Sequence, residues 1–324
     1  MKISFSPSIS TLREYAPTNP YQALKDLINK VVNLVYPENE LTKCRSFKFI
    51  PSFVINALGY VTYCSECPSY KTLKADSCPD LVNDVNEVFN KLLISATERC
   101  PSISHMSWEI SIKKDNAINA FCCPGGKVII TTGILQMLES KQTNDIQQKD
   151  LIAAVLGHEI THAIAEHGSK TMHFFIFSKL IIRCFSYALS VLFIHKPKTD
   201  ENLKENGKKK TEEEANKNPI KNGNCLSKGI EIIFSFISFL LHKGYSQSNE
   251  LEADRFGIEI AKKAGYNIDA SISLQEMFLE MKGQTKDQKQ GVIEKAQKLM
   301  SSHPPSQERL QKNQETINRL RSLD

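Results

Sequence analysis

The pentapeptide His158-Glu159-Ile160-Thr161-His162 narrows the folds open to this chain more than any other feature. It lies inside Leu151 to Gly168, LIAAVLGHEITHAIAEHG. On a helix, residues i and i+4 stack on one face, so the two imidazoles point the same way and can share one metal ion. Glu159 lies one step round the helix, within reach of a water on that metal. Leu151, Ala154 and Val155 continue the histidine face. Asp145, with Gln148 three residues on, reads as the N-cap and capping box, and Gly168 as the stop. The competing reading is a pair of packed or solvated helix-face histidines, and it is the rest of the chain that weighs against it.

A length of 324 residues suffices for one large or two ordinary domains with a substantial core. The formal net charge of +5 is too mild for a nucleic-acid footprint. No helix-turn-helix, RNA-binding or phosphate-loop signature accompanies it, so no nucleic-acid partner is expected. The nine cysteines are odd in number and irregularly spaced, which argues for reduced thiols in a reducing compartment over a disulfide framework. Cys64-Ser-Glu-Cys67 lacks a second pair at zinc-finger spacing. Residues 1–20 have no apolar core of a secretory signal. Met1 to Arg13 is Ser-rich with two basic residues, as in a short mitochondrial presequence, but Glu14 follows.

Residues 1–100 read as a helical N-terminal region packed on a catalytic part that occupies 101–324. Tyr21 to Val35 has helical periodicity, with Leu24, Leu27, Ile28, Val31 and Val35 on one stripe and Pro37 beyond it. Asp80 to Leu93 repeats that spacing through Leu81, Val85, Val88, Phe89 and Leu92. Trp108 to Ile112 alternates as a strand. From Asn119 to Gly133 the chain reads as a strand, a Pro-Gly-Gly turn, a second strand and a break at Gly133, with a helix starting at Ile134. The expected fold is α+β, mostly helical, with a small hairpin beside the histidine helix. That hairpin is either purely structural or an edge that holds an extended peptide by main-chain hydrogen bonds.

Two apolar runs follow, Phe174 to Ile194 and Ile230 to Leu241. The first is long enough to span a bilayer, but Lys179 and Arg183 share one of its faces, and charges inside a span are costly. A buried helical hairpin, a pair lying on the membrane surface, and true spans all compete here. Between the runs, residues 196–224 are rich in Lys, Glu and Asn and nearly free of apolar residues. They read as a disordered insertion that cannot bury enough surface to fold alone.

A catalytic zinc needs a third protein ligand beside the two histidines. Glu250-Leu251-Glu252-Ala253-Asp254 offers one. Glu250 and Asp254 are i,i+4, so Glu250 can bind the metal while Asp254 accepts the outer N–H of a ligand histidine. Glu252 points elsewhere and reads as solvated.

These motifs, with Gly257, Ala264-Gly265-Tyr266, the Asn-Ala-Phe…Pro-Gly-Gly hairpin, Ser302-His303-Pro304 and Arg309, resemble the metallopeptidase family of bacterial HtpX and the CAAX prenyl proteases. The matches run from about Trp108 to Leu320, broken by the charged insertion. Within the family they look nearest the mitochondrial inner-membrane stress proteases. The resemblance implies a zincin-type fold and a gluzincin site with one Zn2+ per chain on His158, His162 and Glu250. Glu159 would be its general base, and Asp254 its supporting carboxylate. It further implies Asn119, Ala120 and Phe121 as the substrate edge, His303 beside the active site facing substrate or capping the metal, and Arg309 helping to stabilise an oxyanion. The implied activity is cleavage of misfolded or membrane-associated proteins; membrane contact through the apolar runs 174–194 and 230–241 stands level with their packing as a buried hairpin. Close membrane relatives carry a clear transmembrane anchor, and no clean one stands at this N-terminus. Two other classes remain: a catalytically silent chaperone or scaffold on the same fold, against which an intact Glu159 argues, and a membrane interaction protein organised by the apolar runs.

Overall fold

The computed structural model describes residues 20–194, 246–284 and 301–323. The presequence-like start, the insertion at 196–224 and the apolar run at 230–241 lie outside the described residues. In chain order the elements are α1 (Pro20–Val35), α2 (Ser52–Glu66), α3 (Pro79–Arg99), a 3-10 turn (Pro101–His105), β1 (Glu109–Lys113), β2 (Ala120–Cys123), β3 (Lys127–Thr131), α4 (Thr132–Glu139), α5 (Gln148–Ile164), α6 (His167–Ile194), α7 (246–263), α8 (Ala270–Gln284) and α9 (Gln307–Arg321). This is the α+β arrangement expected, mostly helical with one small sheet.

A helix that is apolar all round belongs in the middle of a protein, and α5 sits there. Leu151, Ile152, Ala153, Leu156 and Ile160 leave almost no surface on any side. It packs on α3, α8 and β2. Each such Leu or Ile contributes roughly 1.5–3 kcal/mol by leaving water. The sheet runs β1-β3-β2, with β3 buried at its centre. β1 pairs with β3 in parallel and β2 antiparallel, with Ala120 opposite Ile130 and Cys123 opposite Lys127. The Pro-Gly-Gly turn takes left-handed backbone at Gly125 and Gly126. On the face away from α5, Tyr63 of α2 and Cys67 just after it pack on Cys123 and Ile129. One apolar core runs from Leu41 through Val85 and Ile130 to Phe278, across the boundary expected at residue 100.

Several local expectations are corrected. α5 is capped by Gln147, whose N–H donates to Asp150 Oδ2 at 2.9 Å, and not by Asp145. A distant loop sets that start: the Asn267 N–H donates to Asp150 Oδ1, and its side chain reaches the Asp145 carbonyl. Gly168 does not stop the helix. α5 ends at Ile164, Glu166 takes a left-handed φ of 58°, and Gly168 falls in the first turn of α6. Gly133 is not a break either. It lies in the first turn of α4, where a Cβ would stand 2.4 Å from the Asn116 carbonyl oxygen. The stripe on α1 is exposed, Leu27 by 58% and Val31 by 51%, so α1 does not pack as a helical layer on the core. Among the described residues no helix is long and apolar enough to cross a membrane.

The contact that places the site is a crossing of α5 and α7 at two glycines. A Cβ on Gly257 would lie 2.9 Å from both Gly157 C and His158 N, and one on Gly157 would lie 3.0 Å from Gly257 O. The backbones touch, and the turn carrying His158 is held against the turn carrying Glu250 and Asp254. Gly257→Ala should cost about 1–3 kcal/mol through overpacking against backbone, read as a lowered urea midpoint. Gly168→Ala, with only Pro124 Cγ at 3.9 Å, is the control and should be neutral or stabilising.

Candidate metal centre

Four elements converge. α5 supplies His158, Glu159 and His162; α7 supplies Glu250, Glu252 and Asp254; the segment before α9 supplies His303, and α9 supplies Arg309. The i,i+4 spacing stacks the His158 and His162 rings edge-on, with centroids 4.6 Å apart and Nε2 atoms 3.0 Å apart. Glu250 meets them with Oε1 at 3.2 Å from His162 Nε2 and Oε2 at 3.4 Å from His158 Nε2. His303 joins the same group, with Nδ1 3.2 Å from His158 Nε2 and 3.0 Å from Glu250 Oε2. Among the described residues, His158, His162, Glu250 and His303 form a group of donor atoms within 4.8 Å of one another.

The donor separations fit a zinc ion. Ligands about 2.0–2.1 Å from a tetrahedral zinc stand about 3.3 Å from each other, and five of the six pairs in this group, taking the nearer Glu250 oxygen for each histidine it meets, are 3.0 to 3.4 Å apart. The charges fit as well. Glu159, Glu250 and Asp254 are all buried, and Arg309 is the buried guanidinium that faces them. A dication balances the remaining two negative charges with the imidazoles neutral.

Each neighbour sets the ionisation of the next. Burial opposes charge on His158, but the Asp254 and Glu250 carboxylates overrule it and hold its pKa up at about 10. Asp254 Oδ1 lies 2.9 Å from His158 Nδ1, a close charge contact that is not an in-line hydrogen bond. For His162, burial wins and drives the pKa well below its ordinary value. Burial pushes the Glu159 carboxyl up, towards the range suited to a general base. Burial would raise Asp254 too, yet the Arg309 guanidinium holds it down at about 2.

Arg309, expected to face a substrate oxyanion, is 3% exposed and its guanidinium is engaged by carboxylates. Nε and Nη2 each donate to Asp254 at 2.7 Å, and Nη1 lies 3.0 Å from Glu250 Oε2. The Ser306 cap, whose Oγ accepts from Arg309 N at 3.2 Å, places Arg309 in the first turn of α9. His303 Nε2 stands 3.6 Å from Glu159 Oε1. Ala120 and Asn119 are buried, and Phe121 is half-buried on the edge strand β2. Asn119 Oδ1 is buried without a hydrogen-bond partner.

Two residues escaped the sequence reading. His167 Nδ1 lies 2.8 Å from His162 Nδ1, and His167 Nε2 lies 2.9 Å from Glu252 Oε2. Glu252 is therefore not a solvated bystander. The only trace in the sequence is a histidine five places after His162. An unbroken helix would turn that residue about 140° away. The eight described cysteines are free, and the Cys64/Cys67 pair, one exposed and one buried, gathers no further donors.

Residues 82–317 match the family model described as peptidase family M48. The mitochondrial metalloendopeptidase OMA1 of Bos taurus is 29% identical over 187 residues, covering 55% of this chain and 28% of that protein. The mitochondrial metalloendopeptidase OMA1 of Schizosaccharomyces pombe is 26% identical over 219 residues, covering 66% of this chain and 48% of its own length. The matched stretch thus spans less than half of either relative.

Replacing Arg309 by Met strands the buried Asp254 carboxylate, and should cost about 3–5 kcal/mol in urea denaturation at neutral pH. Arg309→Lys should recover only part of it, because an ammonium cannot bind both carboxylate oxygens side by side.

Proposed function

The chain belongs to peptidase family M48, and from that premise we propose that it is a zinc-dependent metalloendopeptidase that hydrolyses peptide bonds of misfolded or membrane-associated proteins. The observation that carries the reading is a buried Glu159 carboxylate beside two imidazoles and a carboxylate whose donor atoms converge at zinc spacing. His158, His162 and Glu250 would hold one Zn2+, which when bound supplies Lewis-acid polarisation of the scissile carbonyl and acidifies a water.

The chain's own residues do the proton work. Glu159 takes the proton of the attacking water on its carboxylate and returns it to the leaving amine nitrogen. His303, 3.6 Å from Glu159 Oε1, stands where it can donate to the carbonyl oxygen as negative charge develops there. Asp254 orients His158, and Arg309 keeps Asp254 ionised and Glu250 in place.

Substrate would enter along β2. That strand pairs with β3 on one side, and its other side faces a cleft of about 290 Å³. Phe121, Cys122 and Cys123 line it on the strand side, and Glu159, His162 and His303 on the other. An extended peptide added at this edge would present its backbone to Glu159. The same lining argues against a silent scaffold, since it brings an intact acid–base residue to the groove.

The relatives' names say mitochondrial, and a mitochondrial, membrane-associated location is the reading we adopt. In its support, Phe47, Phe49 and Phe177 stack in an exposed row, with centroids 5.6 and 4.9 Å apart. Leu180 and Ile181 continue it along α6 and are also exposed.

In a paired assay, wild type should bind one zinc and cleave an unfolded protein such as casein. Glu159→Gln should keep the zinc and lose about 10²–10⁴-fold in turnover. Equal turnover by the two would remove Glu159 as the base, and a zinc-loaded wild type without cleavage would favour the scaffold. For the membrane, Phe177→Asp with Leu180→Asp should weaken sedimentation with anionic vesicles at least about tenfold, from the apolar area removed. Unchanged sedimentation would place membrane contact elsewhere.

A further inference from the structure

We infer that His167 and Glu252 are a positioning pair that fixes His162 as a metal donor; this rests on the zinc reading of the site. Neither offers a donor atom to the group itself. His167 lies behind His162, on the ring nitrogen opposite the one that faces Glu250.

The proton positions follow from the geometry. His162 turns Nε2 towards His158 and Glu250, so a metal is bound there through the lone pair. Its proton is then on Nδ1, and the atom 2.8 Å away is His167 Nδ1, which must accept. That leaves the His167 proton on Nε2, where Glu252 Oε2 accepts it at 2.9 Å. A single proton arrangement satisfies all three groups. It makes His162 a better donor, because a carboxylate at the far end draws both protons away from it. His167 is 3% exposed, so its ring is shielded from solvent.

The backbone is bent to make this contact. On a continuous helix His167 would point about 140° away from His162. Instead α5 ends at Ile164, and Glu166 takes a left-handed φ of 58°. A non-glycine residue adopts that conformation only when something holds it. Here Lys48 binds the Glu166 carboxylate at 2.6 Å, and the Glu166 carbonyl accepts from Lys170 N at 2.8 Å. α6 then starts with His167 turned back onto His162.

One short helix thereby serves the centre three ways. On α7, Glu250 meets the donor group, Asp254 supports His158 directly, and Glu252 supports His162 through an imidazole. The two histidines are not equivalent. His158 rests on a carboxylate shared with Arg309, whereas His162 rests on a relay whose last member is 22% exposed.

The test is zinc affinity, measured by competition with a chromophoric chelator, together with the visible spectrum of the cobalt-substituted protein. Unfolding of the metal-free proteins is followed alongside. His167→Phe should weaken zinc binding ten- to a hundredfold and alter the cobalt bands. His167→Gln, whose amide oxygen can accept from His162 Nδ1, should recover part of the loss. Glu252→Gln should weaken binding less, by a few fold. A folded His167→Phe protein with wild-type affinity and cobalt spectrum would overturn the inference. Should that variant fail to fold, Glu252→Gln decides, and unchanged affinity there overturns it. Wild type that takes up no zinc would sink the zinc reading itself, and this inference with it.

Discussion

Three carboxylates are buried within a few ångströms of one another, and the rest of this structure answers the cost of putting them there. Isolated, each would shed its charge by taking a proton. Arg309 neutralises one, gripping Asp254 with two parallel hydrogen bonds and touching Glu250 with its remaining nitrogen. A dication held by the donor group would neutralise the other two. Removing Arg309 leaves the buried Asp254 carboxylate without its two-point cation. Folding, metal binding and ionisation are therefore one linked equilibrium at this site.

The geometry rests on a second constraint, the touching of α5 and α7 at Gly157 and Gly257. Helix axes normally stand 8–10 Å apart, held off by side chains. Without side chains at the crossing, the backbones meet, and residues one turn away on each helix fall within hydrogen-bonding reach. His158 follows Gly157 directly, and Asp254 and Glu250 lie one and two turns before Gly257. α9 closes the arrangement from outside. Its first turn delivers Arg309, and the prolines before it carry His303, with Lys282 of α8 bound to the Pro305 carbonyl.

The sheet contributes an edge rather than a ligand. β3 is buried, so its strand neighbours are fixed by packing, and β2 is left with one side towards the cleft. α2 presses on the back of this hairpin so closely that a Cβ on Gly59 would overlap the Pro124 carbonyl. A rigid strand edge beside a buried carboxylate is the geometry the proposed peptide hydrolase would need, with substrate backbone held on one side and a proton moved on the other.

The candidate donors and their supporting carboxylate were legible in the sequence as pairs because helical spacing is local. His158 with His162, and Glu250 with Asp254, each lie four residues apart, and any helix puts such pairs on one face. The α+β class, the Pro-Gly-Gly hairpin and the helix at Pro79–Arg99 were legible for the same reason, their signals being periodicity and turn chemistry within a few residues. Long-range contacts carry no such signal. Asn267 moved the start of α5, and the approach of the Asn116 carbonyl, not a turn, required Gly133. Arg309 met carboxylates 55 and 59 residues away. Glu166 broke the helix where no glycine or proline stood, and so brought His167 to His162. The sequence by itself determined which groups could bind a metal and take a proton. Tertiary structure alone decided which charges neutralise which, because a buried charge is settled by its nearest partner in space, and chain distance does not enter that energy.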